Sequence, residues 1–211
     1  MKQIITKTIT RTTLTFFLAF FRLVGATSVL SAETTEAKDA TSNPKVMMKT
    51  NVGELTIELY PQKAPESVKN FLQYVDDGFY TDTIFHRVIE GFMIQGGGFT
   101  LGFEKKETRE AIQNEADNQL PNSKYSIAMA RTQAPHSATA QFFINTADNE
   151  FLNHRSKDIA GWGYTVFGQV IDGKDIADWI NKTSTGAAGP FNKDVPENPI
   201  VIESVTLIDA E

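Results

Sequence analysis

The 211-residue chain contains no cysteine, so no disulfide can staple it and its stability must come from a buried core. Histidine is almost as scarce. His86, His136 and His154 are the full set, spaced too widely for any familiar zinc pattern. No Gly-x-Ser-x-Gly elbow presents a nucleophilic serine, which argues against a serine hydrolase. Gly96-Gly97-Gly98 invites comparison with a phosphate loop, but no Lys-Ser/Thr pair follows and no helix opens there. The triplet reads as a tight turn with close backbone packing. Positive charge is also short, with 20 Lys and Arg against 26 Asp and Glu and a net charge of −6. That balance excludes nucleic acid as a partner, since holding phosphates calls for a basic face.

Acids are missing altogether from residues 1–32, the first being Glu33. Lys2, Lys7 and Arg11 make a basic opening, an apolar run follows at residues 14–21, and small residues lead to Ser31-Ala32. This order is that of a secretory signal peptide. Arg22 leaves the run too short and too charged for a membrane span, so no stable insertion is expected once the signal is removed. Ala26 and Ala32 both suit as cleavage points; an uncleaved anchor or a basic tail is the alternative. Removing residues 1–32 takes four of the 20 basic residues and no acid, leaving 16 against 26 and a net charge of −10. Residues 33–44 hold no large apolar side chain and read as a flexible linker. The remainder, 45–211, is the right size for one domain.

Strand patterns dominate that domain. Leu55, Ile57 and Leu59 alternate with Glu54, Thr56 and Glu58, a period of two that buries one face. A turn at Gly53 joins this strand to one at 45–50. Residues 65–75 switch period: Val68, Phe71, Leu72 and Val75 share one face of a helix that Pro65 opens and Gly78 follows. A second helix is expected over 174–181, with Ile176, Trp179 and Ile180 on one side. Further strands are expected at 126–130, 141–145, 165–170 and 200–208. The loop 100–124, centred on Asn114-Glu115-Ala116-Asp117-Asn118, reads as solvent-exposed. The two tryptophans, Trp162 and Trp179, read as packing residues, and His86 as structural. Two helices among many strands make an α+β, mainly β, domain. Pattern alone does not separate a barrel from a sandwich.

The chemistry concentrates in residues 85–99, Phe-His-Arg-Val-Ile-Glu-Gly-Phe-Met-Ile-Gln-Gly-Gly-Gly-Phe. One permanent cation, Arg87, sits close in sequence to Phe92, Met93 and the neutral amide of Gln95. In a strand Met93 and Gln95 share a face while Ile94 takes the other. Gln141 and Phe143 repeat the arrangement, with Phe142 and Ile144 inward, and Phe151-Leu152 adds a third block. An arginine beside an apolar wall, with no nucleophile or general base, suits a reaction in which no covalent bond is made or broken.

From about Val46 to Leu207 these blocks resemble the cyclophilin family of peptidyl-prolyl cis-trans isomerases, bacterial periplasmic branch. The resemblance implies an eight-stranded closed antiparallel β-barrel capped by two helices, with no cofactor and no metal. It assigns catalysis to Arg87 and a proline pocket to Phe92, Met93, Phe143 and Leu152, with Gln95 and Gln141 anchoring the peptide. Ala130 and Arg131 match the segment whose backbone pairs with substrate, and Arg131 stands where eukaryotic members often carry asparagine. Phe151 stands where many of them carry tryptophan, and Tyr164 where they carry histidine. The implied partners are proline-containing polypeptides, folding exported proteins among them, met by a periplasmic monomer. A non-catalytic peptide-binding module or holdase using the same groove is the rival, and Arg87 favours the enzyme.

Overall fold

The computed structural model describes residues 42–208. The expected signal peptide at 1–32 and most of the expected linker lie outside the described residues. Pro44, at the end of that linker, is already fixed: its carbonyl accepts a hydrogen bond from Leu59 N at 2.8 Å.

The alternation in the first hairpin works as the pattern requires. In β1 (Lys45–Thr50) and β2 (Gly53–Leu59), Val46, Met48, Leu55, Ile57 and Leu59 are fully buried. Asn51 and Val52 turn the chain between them, and the Thr50 hydroxyl donates to Gly53 O at 2.6 Å. Helix α1 (Pro65–Asp76) starts on its proline and buries Val68, Phe71, Tyr74 and Val75. Its first turn leaves backbone N–H groups without intrahelical partners. Glu115 supplies them, its carboxylate accepting from Glu66 N at 3.0 Å and Ser67 N at 2.9 Å. A carboxylate at the positive end of the helix dipole is also favourable electrostatically.

The remaining strands are β3 (Thr83–Ile89), β4 (Met93–Thr100), β5 (Ser126–Met129), β6 (Phe142–Asn145), β7 (Val166–Asp172), β8 (Thr185–Ala188), β9 (Phe191–Pro196) and β10 (Val201–Ile208). Eight of them close a barrel in the order β1-β10-β3-β4-β6-β5-β7-β2, every pair antiparallel. The strands β8 and β9 form a separate hairpin, which carried no clear strand pattern. Strand ends differ from the expected ones by two residues at most. Helix α2 (Lys174–Asn181) has the expected bounds and buries Ala177 and Ile180. Trp179, expected to pack, is 54% exposed on its outer face. Asn181 ties α2 to the β3–β4 turn: its amide donates to Ile89 O at 2.8 Å and its carbonyl oxygen accepts from Gly91 N at 2.9 Å.

Gly96-Gly97-Gly98 is not a turn. It runs inside β4, where irregular pairing with β3 and a φ of +77° at Gly97 bend the strand. The expected close packing holds, since a Cβ at Gly97 would come within 2.7 Å of the Phe142 ring. The loop 100–124 is also not wholly exposed. Asn114, Ala116 and Asn122 are buried: the side-chain amides of Asn114 and Asn122 satisfy backbone carbonyls of the segments packed over them, and Ala116 N donates to Asn114 Oδ1 at 2.8 Å. Among the described residues no helix is long and apolar enough to cross a membrane.

The barrel wall separates two apolar clusters. Inward side chains, including Ile94, Ile127, Phe142, Ile144 and Phe167, join α1 and α2 in the main core. Their outward neighbours Met93, Ala128, Phe143 and Val166 form a second cluster with Leu152. Period-two alternation across β4, β6, β5 and β7 thus builds a core on one face and a binding wall on the other.

Candidate active site

The strand register sets the site. Arg87 pairs with Gln95, Gln95 with Phe143, Phe143 with Ala128 and Ala128 with Val166, one row across four neighbouring strand pairs. Their outward side chains therefore stand side by side. Arg87, Gln95 and Phe143 line a groove of about 400 Å³, and Ala128 and Val166 pack behind Phe143 in the second apolar cluster.

Arg87 Nη1 donates to Gln95 Oε1 at 3.4 Å, and Gln95 Nε2 donates to Gln141 Oε1 at 3.1 Å. From the other side Asp194 brings a carboxylate oxygen to 4.0 Å from Arg87 Nε. Among the described residues Nη1 and Nε are thus the guanidinium nitrogens with a polar neighbour. The Arg87 side chain is 43% exposed, on the groove and outside the core. Gly98 makes room for Gln141, since a Cβ there would overlap the Gln141 amide.

Phe92, Met93, Phe143 and Leu152 line the groove as one apolar wall, with Tyr164 edge-on to Phe143 at 5.6 Å between ring centroids. Buried asparagines hold that wall in place. Asn149 Nδ2 donates to Phe92 O at 2.9 Å, and Asn122 Nδ2 donates to the carbonyls of Leu152 and Tyr164 at 3.3 and 3.2 Å. Phe92 O and Leu152 O accept backbone N–H groups as well, from Thr146 at 3.0 Å and Tyr164 at 2.9 Å, so the asparagines add second bonds that fix the wall. Ala130 and Arg131 close one end. Ala130 N is bonded to Gln141 O at 2.9 Å, and the Arg131 guanidinium lies 4.5 Å from the Tyr164 ring centroid with Nε donating to Gly163 O at 2.9 Å.

Of the residues expected at the site, Arg87, Phe92, Met93, Gln95, Ala130, Arg131, Gln141, Phe143, Leu152 and Tyr164 all line this groove. Phe151 does not. Residues Glu150–Leu152 make a single turn of 3-10 helix, in which neighbouring side chains diverge by about 120°. Leu152 turns inward, while Phe151 is 64% exposed and packs its ring on Phe92 at 5.5 Å. Trp162 packs as expected, with His136 and His154 against it.

Four further residues line the groove: His86, Phe99, Lys105 and Phe191. Phe99 lies beyond the bend at Gly97, where Gly97 faces the core ring of Phe142 and Gly98 faces Gln141, so simple parity from Met93 and Gln95 does not carry through to it. Phe191 and Asp194 come from the β8–β9 hairpin, far away in sequence. His86 is structural as well as lining: it is 3% exposed, with Phe99 at 4.7 Å and Phe191 stacked at 5.4 Å. Burial, opposed by a backbone hydrogen bond at Ile84 and helped by the Arg87 charge, lowers its pKa to about 4. The imidazole beside Arg87 is therefore neutral at pH 7.

Residues 45–207 match the family model described as cyclophilin type peptidyl-prolyl cis-trans isomerase/CLD. The chain is 56% identical over 162 residues to peptidyl-prolyl cis-trans isomerase B of Escherichia coli (strain K12), spanning 77% of this chain and 98% of that protein. It is 50% identical over 169 residues to peptidyl-prolyl cis-trans isomerase A of Dickeya dadantii (strain 3937), spanning 80% and 87%. A crystal structure of a Cryptosporidium parvum cyclophilin type peptidyl-prolyl cis-trans isomerase, determined in the presence of the dipeptide Ala-Pro, superposes with a TM-score of 0.62 at 27% identity, covering 79% of this chain and 99% of that one. With its closed eight-stranded antiparallel barrel and two helices, the chain belongs to the cyclophilin family. It is a cyclophilin-type peptidyl-prolyl cis-trans isomerase.

Proposed function

We propose that Arg87 catalyses rotation about X–Pro bonds of exported polypeptides, working in the periplasm as a monomer. Amide resonance puts a barrier of about 18–20 kcal/mol on this rotation, and uncatalysed exchange takes roughly 10–100 s at 25 °C. In the twisted transition state the prolyl nitrogen regains its lone pair and becomes a hydrogen-bond acceptor, which the planar amide nitrogen is not. A donor aimed at it stabilises the transition state over the ground state. Arginine supplies that donor without titrating near neutral pH.

The observation that carries this reading is the posture of Arg87. Gln95 and Asp194 hold its Nη1 and Nε sides, and the apolar wall of Met93 and Phe143 stands beside it. The pyrrolidine ring occupies the wall, Gln95 and Gln141 bond the flanking backbone, and the rest of the substrate turns. Neutral His86 and the amides take no proton, in keeping with chemistry that transfers none.

The test is Arg87→Ala in a proline-peptide isomerisation assay. Loss of a preorganised donor costs on the order of 100- to 1,000-fold, with an unchanged circular dichroism spectrum expected because Arg87 lies outside the core. A folded variant with near-wild-type kcat/KM overturns the assignment. Support for export is the basic-then-apolar, acid-free start of the chain. Intact mass from a periplasmic fraction, short by roughly 26–32 residues, is the expected outcome. Full-length protein in the cytoplasm refutes it.

A further inference from the structure

We infer that the groove selects proline segments bearing acidic side chains, with Lys105 and Arg131 as the charges that read them. The inference rests on the groove being where the proline segment binds. The protein as a whole is acidic, at −6, yet the residues lining the groove include Arg87, Lys105 and Arg131 and no aspartate or glutamate. A cationic cleft in an acidic protein concentrates ligands of negative charge, the more so with low-dielectric walls around it.

The three cations are not equivalent. Arg87 has Asp194 beside it, which offsets part of its charge. Arg131 is held by neutral acceptors only, the carbonyls of Gly163, Thr132 and Gln133 at 2.9, 2.9 and 3.3 Å. Its charge is thus fixed in place without being cancelled. Among the described residues neither Arg131 nor Lys105 has a carboxylate within ion-pair distance. The two stand in different parts of the groove. Arg131 lies over Tyr164, beside the proline wall, while Lys105 is bridged through its backbone to Phe99. Near Lys105 the rings of His86, Phe99 and Phe191 pack together at 4.7–5.4 Å and give an apolar floor. That floor suits the methylene stem of a glutamate whose carboxylate reaches the Lys105 ammonium.

The experiment measures kcat/KM on proline peptides with Glu, Gln or Lys at flanking positions on either side of the proline, in low and in high salt. An exposed ion pair alters affinity by about two- to fivefold, so Glu peptides should exceed Gln by that factor and Lys peptides fall below. High salt should close the gap, as screening requires. Lys105→Glu and Arg131→Glu should each reverse the preference at one flank. Arg131→Gln, which removes the charge but not the donor capacity, should abolish it at that flank if the glutamate variant fails to fold. Equal rates for the three peptide series, or a Glu preference that survives in the charge-altered variants, overturns the inference. Failure of the wild type to isomerise any of the peptides overturns instead the reading of the groove as the proline site.

Discussion

Protonating His86 should destabilise the fold by an amount that its burial makes calculable. Its folded pKa of about 4 lies below the ordinary 6.5, so between those values the unfolded chain binds a proton that the native state refuses. The contribution to stability is present in full above pH 6.5 and is lost as pH falls toward 4. A gap of about 2.5 units corresponds to roughly 3 kcal/mol in total, and about 2 kcal/mol of it should vanish between pH 7 and pH 5. Carboxylates also titrate toward the acid end, so the control is His86→Phe, which keeps a ring against Phe99 and Phe191 but has nothing to protonate. Urea unfolding of both proteins at pH 7 and pH 5 measures the difference directly. The wild type should lose about 2 kcal/mol more than the variant over this interval. Equal losses refute the reasoning, because they place the imidazole in water or beside an unrecognised acceptor.

Three further outcomes follow from the same geometry. Gly98→Ala should displace the Gln141 amide, raising KM several-fold while costing no more than about 1 kcal/mol of stability, since a flexible side chain yields first; peptide titration and thermal unfolding check both halves. Asn149→Ala should cost about 1–3 kcal/mol by stranding the buried Asn145 side-chain oxygen, with KM rising as Phe92, left with the Thr146 N–H alone, loosens; denaturant midpoints and steady-state kinetics measure it. Asp194→Asn should lower kcat by a few-fold with little change in peptide affinity, and should have no added effect in an Arg87→Ala background, as a double-mutant cycle would show.

The parts of this molecule that could be read from sequence are those in which local pattern and tertiary role coincide. Leu55, Ile57 and Leu59 alternate because β2 has one buried face, and Val68, Phe71 and Val75 recur at helical spacing because α1 has one. Met93 with Gln95, and Gln141 with Phe143, were legible as groove residues because strand parity sends them outward. What escaped has a different physics. The β8 sequence Thr-Gly-Ala-Ala has no alternation to see, and its strand exists through pairing with β9. Asn114, Asn122 and Asn149 look like loop solvent contacts, and only distant carbonyls make them interior. Trp179 misleads in the opposite direction, a large apolar side chain left outside by the turn of α2. Phe151 was placed by its neighbours in sequence, but a single turn of 3-10 helix points it away from Leu152.

The closed barrel has a consequence for an enzyme that handles extended chains. In the eight-strand circuit each strand has a neighbour on both sides, with β10 and β3 meeting only at Val201–Ile202, so the barrel offers little open edge onto which a client could add itself as a further strand. The proposed groove is instead a site only a handful of residues long, set beside the sheet and not in it. On that reading a client held at the groove leaves once its bond has turned, without having become a strand of the barrel.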